Sequence, residues 1–195
     1  VSIFSQIAHS LYQASTIIDT VANSIVLALT VIFLFLYKDR LYGLWKTKSL
    51  HTTPEITTAA INLLIHTFFF LMFSFIAATF NAIDIPKGSR ACIFYTLCAF
   101  IYCCYVLSYL VSHRMIGMPL HPISKFFCLM ANFLILMQGA RLIDRLVLET
   151  NILIELYNVT NITLNIIIVF TLSGFLCKVL IKYRDSFEET KPTSL

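Results

Sequence analysis

The chain has 195 residues, of which 58% are hydrophobic and 12% charged, with a mean hydropathy of +0.84 and a formal net charge of +4. Soluble domains carry about 45–50% apolar and about 25% charged residues, so these values exclude an ordinary water-soluble domain and point to the membrane class. The length suits one helical bundle with no separate soluble domain, and no basic surface for nucleic acid emerges.

In chain order, residues 1–18 are predicted to form an amphipathic interfacial helix. Phe4, Ile7, Ala8, Leu11 and Ile18 fall on one helical face, and Ser5, Gln6, His9 and Gln13 on the other. The segment lacks the basic start and small-residue cleavage site of a signal peptide. Five long apolar runs follow, at about 20–37, 57–83, 92–112, 123–140 and 158–177. A helix needs about 20 apolar residues to cross a hydrocarbon core of about 30 Å, and each run but the fourth comes close to that. Residues 67–80, TFFFLMFSFIAATF, are apolar all round, whereas a helix facing water keeps a polar side. The predicted fold class is all-α: a polytopic membrane helix bundle of about five transmembrane helices over 19–184, with a flexible cytosolic or matrix tail at 185–195.

Helix breakers mark the boundaries. Pro54 precedes the second run, Pro86-Lys87-Gly88 ends it, and Pro119 and Pro122 precede the fourth. The fourth run is the weakest, because Gln138, Arg141, Asp144 and Arg145 follow closely on its apolar part. Its helix is expected to leave the membrane near Gly139 and continue as a charged extension. Arg141 and Asp144, then Arg145 and Glu149, are neighbours on that helix surface.

Charge placement predicts the orientation. With five spans, Lys38, Arg40, Lys46, Lys48, Arg114, Lys125, Lys178, Lys182, Arg184 and Lys191 share one side, and Lys87, Arg90, Arg141 and Arg145 the other. The positive-inside rule puts the richer side in the cytosol or matrix, with the N-terminus outside and the C-terminus inside. An endomembrane or plasma membrane is favoured, with the mitochondrial inner membrane as the alternative. Two consecutive sequons, at Asn158 and Asn161, fall on the predicted outer side and are candidate glycosylation sites.

The polar residues inside the runs are the candidates for function. Asn151, Glu155, Asn158 and Asn165 lie along one stripe leading into the fifth span. A polar stripe on a spanning helix is expected to face protein or water rather than lipid. It serves either helix packing through amide hydrogen bonds or a water-filled path. His66 is the histidine deep in a span, with Asn62 one turn before it. A neutral, hydrogen-bonded packing role is expected for it; a proton relay or a haem ligand is the alternative. Haem usually needs a second axial ligand at similar depth, and His51, His113 and His121 are predicted at the inner surface. The six cysteines form no C-x-x-C pair and no zinc spacing with histidine.

Ser112-His113-Arg114-Met115-Ile116-Gly117 resembles, over six residues, the Ser/His-Arg-x-x-Gly stretch of the quinone-binding anchor of succinate dehydrogenase. The resemblance implies a quinone-side position for His113 and Arg114. The stretch opens a span in that family and closes one here, and headgroup anchoring is the direct expectation for both residues.

No nucleophile–base pair, metal motif or phosphate loop is present, so an enzyme is not expected, and neither is a cofactor. The ending Lys191-Pro192-Thr193-Ser194-Leu195 suits capture by a PDZ-type partner at Leu195. The expected function is that of a non-catalytic multi-pass membrane subunit. Its expected partners are the lipid bilayer and other membrane protein subunits in a larger complex. The alternatives are a channel or transporter path along the fifth helix, and a haem- or quinone-associated anchor of an electron-transfer complex.

Overall fold

The computed structural model describes residues 17, 20–38, 42, 54–84, 86–150 and 152–188. Among these residues all regular structure is helical. Five helices are long and apolar enough to cross a membrane: α1 (Thr20–Lys38), α2 (Pro54–Ala82), α3 (Lys87–Ile116), α4 (Pro122–Leu146) and α5 (Ile154–Glu188). The fourth is the least apolar of them, in line with its short apolar run. The predicted interfacial helix at 1–18 lies almost wholly outside the described residues, as do the end of the C-terminal tail and Leu195.

Prolines set several of the helix starts. Pro54 and Pro122 open α2 and α4, where their missing N–H is no loss and their fixed φ suits the first turn. Pro86 is the N-cap of α3. The Arg90 guanidinium closes the α2–α3 corner, donating from Nη2 to the carbonyl of Ile83 at 2.9 Å. Gly117 ends α3 with φ 73°, a left-handed conformation natural to glycine. The N–H of Gly117 then meets the Arg114 carbonyl at 3.1 Å, and that of Met118 meets the His113 carbonyl at 3.0 Å.

His121 is the N-cap of α4, and its Nδ1 accepts from the N–H of Ile123 at 3.3 Å. That role requires an unprotonated Nδ1. Burial lowers the pKa of His121 below its ordinary 6.5; Glu55 of α2 opposes the shift and Lys178 of α5 adds to it. A base whose pKa is depressed by folding contributes stability in full above its unfolded pKa. That stability is lost as pH falls below about 6.5 toward the lower native value. The melting temperature should therefore decline on acidification from pH 7 to 5. In His121→Asn, which keeps a capping oxygen but no titration, this part of the decline should vanish; an unchanged pH profile would show that His121 has no part in it.

Each helix turns one stripe inward. On α1 the stripe is Ala22, Val26, Thr30, Phe33 and Tyr37; on α3 it is Cys98, Ile101, Tyr105, Tyr109 and His113. These sit three or four residues apart, the spacing of one helical face. The opposite faces carry exposed side chains of the same apolar kind, such as Phe35, Phe100 and Leu107. Thr30 donates to the Val26 carbonyl at 2.8 Å, so Thr67 of α2 is the donor in the 2.8 Å contact between the two hydroxyls that joins α1 to α2.

The bundle is tighter at one end than at the other. The first turns of α2 are buried without a break from Ile56 to Leu63, against the end of α3, the start of α4 and the later turns of α5. From Phe70 onward α2 has no fully buried residue among those described. At the tight end Lys182 of α5 reaches Glu55 of α2 at 2.7 Å, with side-chain exposures of 53% and 32%. A pair that open to solvent contributes at most about 1 kcal/mol.

The end of α4 departs from the expected charged extension. Arg141 and Asp144 are 2% and 1% exposed and form an ion pair one turn apart, folded into the α4–α5 corner. Asp144 also accepts from the Thr150 hydroxyl, and from the N–H of Leu153 at 3.4 Å. Beside it Gln138 Nε2 donates to the Tyr157 hydroxyl of α5 at 2.9 Å. The inward side of α4 continues the stripe Ala131, Leu134, Gln138, Arg141, Asp144, so the charges are carried into the corner by the same helical face that packs the core. Arg145 and Glu149 remain exposed.

Candidate functional site

Besides the α4–α5 corner, two linked features hold the buried polar chemistry. The first is a ladder of hydrogen bonds where α2, α3 and α4 meet. His66 and Asn62 lie four apart on α2, and Tyr105, Tyr109 and His113 lie four apart on α3. Equal spacing on two adjacent helices lets successive turns face one another. His66 Nδ1 is 2.8 Å from the Tyr105 hydroxyl, which is 3.2 Å from the Tyr109 hydroxyl. One turn toward the tight end, Ser124 Oγ of α4 donates to Asn62 Oδ1 at 3.0 Å and lies 3.2 Å from His113 Nε2. The single hydroxyl proton of Ser124 goes to Asn62, so His113 is the donor in the second bond and carries its proton on Nε2.

The second feature is a cavity of about 560 Å³ in the looser half of the bundle, lined by all five helices. Its polar groups come mainly from Thr20, Asn23 and Ser24 of α1 and from Asn161 and Asn165 of α5. Its rings come from α2, α3 and α4, with Phe69, Phe73, Tyr102 and Phe127 among them. His66 and Tyr105 belong to both features: they line the cavity and begin the ladder. The volume falls within the roughly 300–1,000 Å³ of typical ligand pockets. Among the described residues, no Asp, Glu, Lys or Arg lines it.

The expected site residues distribute unevenly. His66 is met by the Tyr105 hydroxyl of the neighbouring helix. Of the proposed α5 stripe, Asn165 lines the cavity, Asn158 is half-buried and does not line it, and Glu155 is exposed. Asn151 lies outside the described residues. The cavity-facing pair is instead Asn161 and Asn165, and the same face continues with Ile168, Leu172 and Leu176, all buried. His113 does not reach outward to headgroups: it is 2% exposed and turned into the ladder. Arg114, one residue on, is exposed. Both sequons lie within α5, and Asn161 lines the cavity. Tyr105, Ser124, Asn23 and Phe127 carry site geometry but no motif. Their one advance signal was polarity within an apolar run, present for Asn23 and Ser124 and absent for Phe127.

No family model, curated protein or solved structure matches this chain.

Proposed function

We propose that the chain is a non-catalytic, multi-pass integral membrane protein that holds a small molecule in an intramembrane cavity. The observation that carries this is the 560 Å³ cavity to which every helix of the bundle contributes. A through-path for ions has less support. Beyond Asn165 the inward face of α5 is Ile168, Leu172, Leu176 and Val179, all buried and apolar, and an ion would find no ligand there. The outer faces present Phe35, Phe75, Leu136 and Phe170, which suit lipid chains and lateral packing with other membrane subunits.

In this proposal the N-terminus is outside and the C-terminus inside, so the cavity lies in the outer half of the bilayer and the tight end in the inner half. The basic split among the loops supports that orientation. A cysteine placed at position 47 in a cysteine-free background should react with an impermeant reagent only from the inner side. Labelling from outside would reverse the bundle.

Cys98 provides the test of the cavity. It lines the cavity and is 4% exposed. With the other five cysteines replaced by alanine, Cys98 should react with the small neutral reagent methyl methanethiosulfonate. Ala131→Trp, which places a ring in the same space, should slow the reaction about tenfold or more. A Cys98 equally reactive in both proteins would remove the cavity as the working part.

A further inference from the structure

We propose that the outward face of α4 is a dimer interface, covered by a second copy of this chain through a parallel α4–α4 contact centred on Asn132. The contact presupposes the membrane insertion proposed above and is independent of the cavity.

Asn132 stands near the middle of the 25-residue α4 and is exposed. One N–H of its amide donates to the Cys128 carbonyl of its own helix at 2.9 Å. The other N–H and Oδ1 have no partner among the described residues. An exposed hydroxyl such as that of Thr79 spends its one proton on its own helix, at the Phe75 carbonyl, whereas the amide has a second one left. Lipid chains offer it no partner, so at this depth the amide is costly until another protein group meets it.

The residues around Asn132 form a seam. Leu129, Asn132, Leu136, Gly139, Ile143 and Leu146 are separated by three, four, three, four and three residues. That alternation is the 3.5-residue period at which one helix keeps a single face toward a partner. Leu129, Leu136 and Ile143 are 61%, 70% and 54% exposed. Asn132 and Gly139 hold equivalent places one heptad apart. A Cβ on Gly139 would meet nothing within 4 Å, so a neighbouring helix can approach closely there. The same helix buries Phe127, Ala131, Leu134 and Gln138 on its other side.

Self-complementarity selects the occupant. Copies of one chain insert in one orientation, so a two-fold axis relating them runs along the membrane normal and brings each seam residue to the depth of its own copy. Asn132 then meets Asn132. Each has one free donor and one free acceptor, and two reciprocal N–H···O bonds satisfy both. In parallel helix pairs a single asparagine at such a place fixes register and pairing. From Leu129 to Leu146 the seam carries no charge, so two copies meet without like-charge contact. Lys125, one heptad before Asn132, is exposed in the first turn of α4, where its long stem lets the ammonium reach the headgroups.

The test uses the full chain with its six cysteines replaced by alanine, reconstituted in phosphatidylcholine vesicles and washed at alkaline pH. Single cysteines are placed at Leu136 and Ile143 on the seam, and at Phe100 and Phe170 on the outward faces of α3 and α5. Oxidation with copper phenanthroline should link dimers at both α4 positions and at least fivefold less at the other two. Stepwise photobleaching of singly labelled protein should count two copies per particle. Asn132→Leu should shift the protein-to-lipid ratio of half-dissociation by about tenfold or more, and Asn132→Gln, which keeps a donor and an acceptor, should stay within about threefold of wild type. Asn132→Leu should melt with wild type, because the amide bonds only to its own helix; loss of the dimer is then not loss of the fold. One copy per particle at every dilution would overturn the dimer. Links through Phe100 or Phe170 in place of the seam would overturn the α4 face, and an undiminished Asn132→Leu dimer would overturn the role of the amide. A seam cysteine that in native membranes links to a chain of different mass would make the occupant another subunit. Protein lost from the vesicles in the alkaline wash would overturn the membrane reading itself, whereas protein retained as a monomer overturns the dimer alone.

Discussion

Asp144→Leu is expected to destabilise the bundle more than any other single polar substitution, and Arg141→Met combined with Asp144→Leu should restore most of the loss. Three donors converge on this carboxylate: the Arg141 guanidinium, the Thr150 hydroxyl and the Leu153 N–H. The pair has almost no exposed surface, 2% for Arg141 and 1% for Asp144. Removing one partner of a covered pair leaves the other charge without its main compensation, whereas removing both leaves ordinary apolar packing that is often no less stable. Asp144→Asn keeps an acceptor for Thr150 and Leu153 and should fall between the two. Melting of the detergent-solubilised protein should give the order wild type and double variant highest, then Asp144→Asn, then Asp144→Leu. The exposed Glu55–Lys182 pair is the internal control, and its loss should shift melting little. If Asp144→Leu melts with wild type, the corner is not what fastens α4 to α5.

The helices were legible in the sequence because the quantity that makes them, a long run of apolar residues, is itself a sequence property. Their starts were legible where a proline fixed them, at Pro54 and Pro122. The direction each residue faces was far less legible, for a physical reason. In water the inward face of a helix is marked by its hydrophobicity. In α3 the inward Ile101 and Tyr105 and the outward Phe100 and Leu107 are equally apolar in kind, so composition does not separate them. His113 shows the consequence: its place near the end of α3 indicated its depth, but only the packing of α4 turned its ring inward. Arg141 and Asp144 show the same gap, since their charges suggested a solvated extension and their helical phase carried them into the corner. The α5 asparagines were partly legible. Asn165 stands out in the sequence by its polarity and lines the cavity, while Asn161, which also lines it, reads in the sequence as the start of a sequon. Asn161 and Asn165 are four apart, and that spacing was the available signal that both share a face.

Ser124→Ala is the second substitution with a large expected effect, because one hydroxyl joins three helices. Ser124 is fully buried; it donates to Asn62 of α2 and receives from His113 of α3. Asn62 is also fully buried, and its Nδ2 has no partner among the described residues. Without the hydroxyl, both ends of the Asn62 amide are unmatched and the His113 Nε2–H loses its acceptor. A buried polar group left unsatisfied costs about 1–3 kcal/mol, while polar contacts in membrane bundles average about 0.6 and reach about 1.7 kcal/mol. The membrane values decide the expectation, because the unfolded state in lipid also finds partners, so a loss of about 1–2 kcal/mol is expected. At roughly 2–4 °C per kcal/mol for a chain of this size, the melting temperature should fall by about 2–8 °C. Asn62→Leu in the Ser124→Ala background removes the orphaned amide and should recover part of that fall, so the two substitutions should not add. Full additivity, or a Ser124→Ala protein that melts with wild type, would mean that apolar packing rather than the ladder sets the register of α2, α3 and α4.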